Sequence, residues 1–348
     1  MIGQLVWKKT DTLLAGDIAM ETVRLSENQP PVVRMGQSLT REIIEKLIEN
    51  NVRYLWVQIP PITPPVVNPQ KVEELKQEIK GIFTDAVQKM KVNKKEIQDL
   101  SNQIVNDVVR NFGDKISLIF LIQQSDEEYT YVHEVHVGMI SSLVGLELGM
   151  SVNQLSRLAF SAMIHDIGKI LVPKEILYAP RRLSEKEFDM VKKHVEFGGR
   201  ICRNSGIEDQ DLLSGVTDHH EKLDGTGYLK GLTDQEISIF AKIIAIADIY
   251  DALISNRSYK SSWSPYKAIS ELIKLASFGK IDKKAVQAFV SVVGLYPVGT
   301  TVILSSGEKG TVVGNTINRA TQPIVRLENG DHVDLAQEKN LTVVQVLD

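Results

Sequence analysis

The segment Ile243-Ile244-Ala245-Ile246-Ala247-Asp248-Ile249-Tyr250-Asp251-Ala252-Leu253-Ile254 constrains this chain more than any other. It is apolar on nearly every face. A helix of that kind is stable only at the centre of a bundle, with other helices around it. Asp248 puts a charge into that apolar frame, where it calls for a cation or strong hydrogen-bond donors. Metal ligation is the favoured reading for Asp248, which reads as the clearest buried charge. A capping or structural hydrogen-bonding role is preferred for Asp251.

The surrounding pattern places this helix in a mainly α fold. Residues 115–292 read as successive helices with few strand signals. Before them, Lys71 to Phe112 carries Val72, Leu75, Ile79, Ile82, Phe83 and Val87, then Ile97, Leu100, Ile104 and Val108, at helical spacing. This reads as a connecting helical hairpin or a dimerising pair. The ends change character. Residues 1–68 combine β-prone runs (Val32–Met35, Val52–Val57) with a helical Thr40–Asn50 and close on five prolines between Pro60 and Pro69. After Tyr296-Pro297, the runs Thr301–Leu304, Gly310–Val313, Pro323–Leu327 and Leu341–Val346 alternate with turns at Ser306-Gly307 and Asn329-Gly330-Asp331. The expected organisation is a small N-terminal α/β module (1–68), a helical connector (69–124), an all-helical core (125–292) and a C-terminal β extension (293–348).

Composition sets outer limits. The 348 residues are 43% apolar and 24% charged, enough for a large core without staples. A single cysteine, Cys202, excludes an internal disulfide and suits a cytoplasmic chain. No apolar run reaches a membrane span, and the start lacks the features of a secretory signal. With a net charge of −4 and no basic run, bulk nucleic acid is not an expected partner, whereas a small anionic ligand needs only a few local cations.

The chemistry gathers on histidines. The chain has seven, and all but His332 lie between positions 133 and 220. His165-Asp166 ends the apolar stretch Leu158–Ile164 and is followed by Ile167-Gly168-Lys169. An imidazole and a carboxylate side by side are costly to bury unless a cation pairs with them, and a carboxylate can bridge two cations. His219-His220-Glu221 precedes the turn-rich Asp224-Gly225-Thr226-Gly227-Tyr228. Adjacent helical residues point about 100° apart, so both reach one ion only where the helix ends; a surface pair before a loop is the alternative. His133 shares a helix face with Val137 and Ile140 and points inward. His136 is rotated from it and reads as supporting or structural. His194 lies on an amphipathic helix with Val191 and Phe197. Glu221 and Asp224 are candidate acceptors for histidine N–H groups or, equally, loop ion-pair partners.

Taken in order, Tyr129-Thr130-Tyr131-x-His133, His165-Asp166-Ile167-Gly168-Lys169, His194, His219-His220-Glu221-x-x-Asp224-Gly225-x-Gly227-Tyr228, Ala247-Asp248-x-x-Asp251-Ala252 and Asn256-Arg257-x-Tyr259-Lys260 resemble the HD-GYP family of metal-dependent phosphohydrolases, over about residues 125–292. The resemblance implies an all-helical catalytic domain and two divalent metal ions, iron or manganese. The ligands it implies are His133, His165, Asp166, His194, His219, His220 and Asp248, with Asp166 bridging and with Asp166 and Lys169 catalytic. It implies Lys169, Tyr228, Arg257 and Lys260 on the substrate. The implied reaction is hydrolysis of cyclic di-GMP to pGpG or GMP in bacterial signalling, with room for a homodimer or a signalling-protein partner. Two positions depart from the family pattern. Leu229 stands where the name-giving motif has proline, which leaves the loop freer. Tyr129 stands where members with a third metal carry glutamate, so two metals are expected. The alternatives are a non-hydrolysing cyclic dinucleotide receptor, an HD-type enzyme for another nucleotide, and a purely structural module.

Overall fold

At the centre of the computed structural model lies the helix α10, Ile239–Ile254, started by Ser238, whose hydroxyl accepts from Ala241 N. The structure describes residues 4–26, 29–59, 67–113, 115–116, 126–255 and 263–347. Ile243, Ile244 and Ile246 of α10 are fully buried, each contributing about 2–3 kcal/mol of apolar burial.

The helices before it are α1 (Arg41–Glu49), α2 (Pro69–Lys89), α3 (Lys94–Asn111), α4 (Asp126–Glu147), α5 (Val152–Ala162), α6 (Lys174–Leu177), α7 (Glu185–Lys192), α8 (His194–Asn204) and α9 (Gln210–Thr217). α11 (Pro265–Ser277) and α12 (Lys283–Val293) follow it. The protein is mainly α. α10 packs on α4, α9, α11 and α12, and α4 packs on α2, α3, α5 and α12. The helices read from sequence as a connector, α2 and α3, share one hydrophobic core with α4, α5 and α10 through Leu75, Ile79, Ile97 and Ile104. Starts are encoded locally: reciprocal caps join Ser151 to Gln154 before α5 and Ser184 to Glu187 before α7. Among the described residues, no helix is long and apolar enough to cross a membrane.

Small sheets flank the bundle. At the N-terminus, β1 (Gln4–Lys9) and β2 (Ile18–Ala19) both pair antiparallel with β3 (Tyr54–Ile59), in the order β1-β3-β2. The β-prone Val32–Met35 forms no strand. It contributes one isolated bridge, Val23 to Val33, because the chain turns immediately: Gln37 N donates to Arg34 O and Gly36 takes φ +82. β4 (Lys115–Ile116) pairs with β6 (Lys309–Thr316) of the C-terminal sheet. That sheet runs β8-β7-β6-β5-β9, with β5 at Thr301–Leu304, β7 at Ile324–Leu327, β8 at His332–Asp334 and β9 at Val343–Val346. The two ends of the chain meet. Val298, Val313 and Ile324 complete the core of the N-terminal sheet. Asp17, fully buried, takes an ion pair from Arg326 and lies 3.5 Å from Lys8 Nζ, which also donates to Thr311 Oγ1 at 3.2 Å.

Candidate metal centre

The α5 helix ends at Ala162, and the chain turns through His165 and Asp166 into a short 3-10 turn, Ile167–Leu171. Gly168 lets that turn lie on the start of α8. A Cβ there would sit 1.9 Å from the His194 carbonyl oxygen, so only glycine fits. α9 ends just before His219 and His220. A Cβ on Gly227 would sit 2.3 Å from Glu221 Cα, which ties the following loop down onto that helix end. α4 and α10, packed together, bring His133 opposite Asp248.

The two oxygens of Asp166 face different histidines. Oδ1 lies 3.1 Å from His194 Nε2 and 3.9 Å from His219 Nε2. Oδ2 lies 3.5 Å from His165 Nε2 and 3.9 Å from His133 Nε2, and also contacts the Lys169 ammonium. Asp248 reaches across the same space: Oδ1 is 3.3 Å from His133 Nε2 and Oδ2 is 3.8 Å from His220 Nδ1. Two groups of donor atoms with metal-ligating spacing result, His133-His165-Asp166 and Asp166-His194-His219-His220, with Asp166 common to both.

The remaining ring nitrogens set the tautomers. His194 Nδ1 is 2.7 Å from Val191 O and His219 Nδ1 is 3.1 Å from Val216 O. A carbonyl only accepts, so Nδ1 carries the hydrogen and the Nε2 lone pair faces the site. His133 Nδ1 lies 2.6 Å from Asp251 Oδ2. His165 Nδ1 lies 2.8 Å from Ala162 O and 3.0 Å from Glu134 Oε2.

This donor set fits divalent cations. His133 Nε2, His165 Nε2 and Asp166 Oδ1 are buried with no hydrogen-bond partner among the described residues, an expensive state unless a cation takes them. Burial, with the neighbouring imidazoles, holds His219 well below its usual pKa and pushes His220 down to about 3. Burial disfavours the Asp166 and Asp248 carboxylates. Lys169 and His165 outweigh it at Asp166, and His133 and His220 at Asp248, so both stay ionised well below the usual range. Burial also opposes charge on His165, but Glu134 and Asp166 outweigh it and push the ring up to about 10; Asp248 and Asp251 raise His133 in the same way. Cations in the centre would take over the work those two protons do.

Several sequence expectations are corrected here. Asp251, at 0% exposure, is the more deeply buried acid of α10, whereas Asp248 opens slightly into the site. Asp251 accepts from Tyr129 Oη at 2.8 Å and lies 2.8 Å from His136 Nδ1. His136 therefore backs the carboxylate that backs His133. Among the described residues neither Glu221 nor Asp224 accepts a hydrogen bond from a histidine: Glu221 accepts from the backbone N–H groups of Lys230 and Leu232, and Asp224 caps the turn at Thr226. Tyr228 lays its ring against His220, with centroids 4.8 Å apart at 30°, and neighbouring Leu229 is exposed. Arg257 and Lys260 lie outside the described residues. Glu134, completely buried, was not singled out from sequence; an acid between two histidines in the otherwise apolar Val132–Val137 turn was the available signal.

The HD domain family model matches residues 116–285. A cyclic di-GMP phosphodiesterase of Pseudomonas aeruginosa is 33% identical over 238 residues, covering 68% of this chain and 56% of its own length. A cyclic di-GMP phosphodiesterase of Borreliella burgdorferi is 29% identical over 224 residues, covering 64% of this chain and 59% of its own. A 3′3′-cGAMP-specific phosphodiesterase of Vibrio cholerae is 30% identical over 169 residues, covering 49% and 39%. The chain thus spans less than two thirds of the length of each of these relatives. Residues 116–285 match the HD domain family, and over them the chain is similar to cyclic dinucleotide phosphodiesterases.

Proposed function

We propose that this chain hydrolyses the phosphodiester bonds of cyclic di-GMP, opening the ring to pGpG and on to GMP, with two divalent metal ions, iron or manganese, in the histidine-aspartate centre. The observation that carries this is the division of Asp166, whose two oxygens face separate pairs of histidines. His133, His165 and Asp166 would hold one ion, and Asp166, His194, His219 and His220 the other, with Asp248 in reach of both. Bound there, such ions lower the pKa of a shared water towards neutrality and offset charge on a phosphoryl group.

The protein's own groups do the rest. Asp166 is held ionised inside an apolar frame, which keeps both halves of the site at fixed spacing. Lys169, partly exposed beside Asp166, is placed to neutralise charge growing on phosphoryl oxygens as water adds and the ribose oxygen leaves. Tyr228 covers the exposed edge of His220 and offers a ring face to a guanine. Burial pushes its hydroxyl pKa up, so it stays neutral. Arg257 and Lys260 are assigned to the second phosphate or a guanine edge.

A second substrate, 3′3′-cGAMP, is favoured by the relative from Vibrio cholerae, which is named for it. The two dinucleotides share the phosphodiester ring and differ in one base. Incubating the metal-loaded chain with each, and separating products by chromatography, tests the reading. We expect linear product from cyclic di-GMP at the higher kcat/KM, and none from the Asp166→Ala variant. Tight binding of either ligand with a filled metal centre and no product would make the chain a receptor instead.

A further inference from the structure

The two halves of the centre are built differently behind their imidazoles. In one half, carboxylates stand behind both rings: Asp251 Oδ2 is 2.6 Å from His133 Nδ1, and Glu134 Oε2 is 3.0 Å from His165 Nδ1. In the other half, the corresponding nitrogens of His194 and His219 meet only the backbone carbonyls of Val191 and Val216. Exposure separates only one ring: the His133, His165, His194 and His219 side chains are at most 3% exposed, while His220 is 24% exposed.

Glu134 is the sharper part of this difference. It lies on α4 next to His133 but points to His165, and neither of its oxygens has a hydrogen-bond partner among the described residues. The His165 N–H goes to Ala162 O at 2.8 Å, and Glu134 Oε2 lies beside that nitrogen at 3.0 Å. A buried acid left in that state needs either a proton or positive charge close by, and a cation on His165 supplies the second. Asp251 spends its charge on Tyr129 and His136 as well as His133. Glu134 has His165 alone as an ion-pair neighbour within 4 Å among the described residues.

We propose that the two metal positions are unequal: the one on His133, His165 and Asp166 fills first and holds its ion, and the one on Asp166, His194, His219 and His220 exchanges. This rests on the two-metal reading above. A carboxylate behind an imidazole makes the ring a stronger donor and adds negative charge near the cation in a dry setting; a carbonyl only orients the ring. The exchanging half has one more imidazole, which taken alone favours the opposite order. Asp248 offsets it, because its Oδ1 approaches His133 at 3.3 Å, closer than its Oδ2 approaches His220 at 3.8 Å.

The test is equilibrium dialysis of the chelator-stripped full chain against Mn2+, with bound metal counted. Two classes of site are expected, one ion in each. Glu134→Gln weakens the tighter class by about ten- to a hundredfold and leaves the weaker class unchanged. His194→Ala removes the weaker class and leaves the tighter one, and it decides the matter where Glu134→Gln does not fold. Two equal sites in the wild-type chain, or loss of the tighter class in His194→Ala, overturn the proposal while leaving a two-metal centre standing. Uptake of no metal at all removes the two-metal reading and this proposal with it.

Discussion

Gly168 rests on the carbonyl of His194 so closely that a Cβ would come within 1.9 Å of its oxygen, and this contact carries Asp166 Oδ1 to 3.1 Å from His194 Nε2. The Gly168→Ala variant must therefore push the turn off α8 and split the two groups of donors. We expect a loss of at least about 2 kcal/mol in stability, measured by urea unfolding, and less than one equivalent of metal in the half that contains His194. Full stability and metal content in Gly168→Ala would show that the turn and α8 yield easily.

Metal removal should be felt by the whole fold. Glu134, Asp166 and Asp251 are all at most 1% exposed, and Asp248 is 13% exposed. Ions that bind only the folded chain stabilise it by about 2.7 kcal/mol at a hundredfold excess over Kd. Thermal unfolding of the chelated chain should begin several degrees lower than that of the loaded chain, and Mn2+ should restore it. Asp166→Ala should lose this response. An identical midpoint with and without metal would count against the centre as drawn.

Tyr228 presents its ring, not its hydroxyl, to His220. Tyr228→Phe should retain activity within about twofold, because the stacking face remains. Tyr228→Ala should raise KM about tenfold, the loss of roughly 1.4 kcal/mol that one aromatic contact supplies. Steady-state kinetics separates the two; a severe defect in Tyr228→Phe would move the role to the hydroxyl.

Away from the site, Arg157 of α5 clamps the start of α9, with Nε 2.9 Å from Asp209 Oδ2 and Nη2 2.7 Å from Oδ1. Burial opposes the Asp209 carboxylate, but these bonds and the N–H groups of Leu212 and Asp211 outweigh it and lower its pKa. A depressed acid contributes stability that is present above its unfolded value of 3.8 and is lost as pH falls through the lower folded value. Arg157→Ala should cost about 1 kcal/mol at pH 7, as expected of a partly exposed bidentate pair. The penalty should shrink as pH drops below 3.8. Denaturant titrations at both pH values read it directly; a penalty independent of pH would assign it to packing.

How far the sequence could be read follows from how local each signal is. The helical core was legible because periodicity is local, and so was the turn-rich end of the chain. The meeting of Lys8, Asp17 and Arg326 was not, because it joins positions some 300 residues apart through side chains that look like surface groups. The histidine-aspartate pairs stood out because charge in an apolar stretch is locally visible. The relative burial of Asp248 and Asp251 was not legible for a related reason, although the structural role expected of Asp251 agrees with its hydrogen bonds. α10 is apolar nearly all round, so no face of it announces which side meets α4. Only the packing shows that Asp251 turns to Tyr129, His133 and His136 while Asp248 opens to the site. Glu134 was invisible in the same way, since its purpose depends on where α5 delivers His165.

The central claim is that cleavage depends on both halves of a centre shared through Asp166. Adding Mn2+ back to the stripped chain, while following linear product from cyclic di-GMP and bound metal together, tests it most directly. No product is expected with the first equivalent, and turnover should rise with the second. Full turnover in the stripped chain, or no product with both equivalents bound, would contradict it.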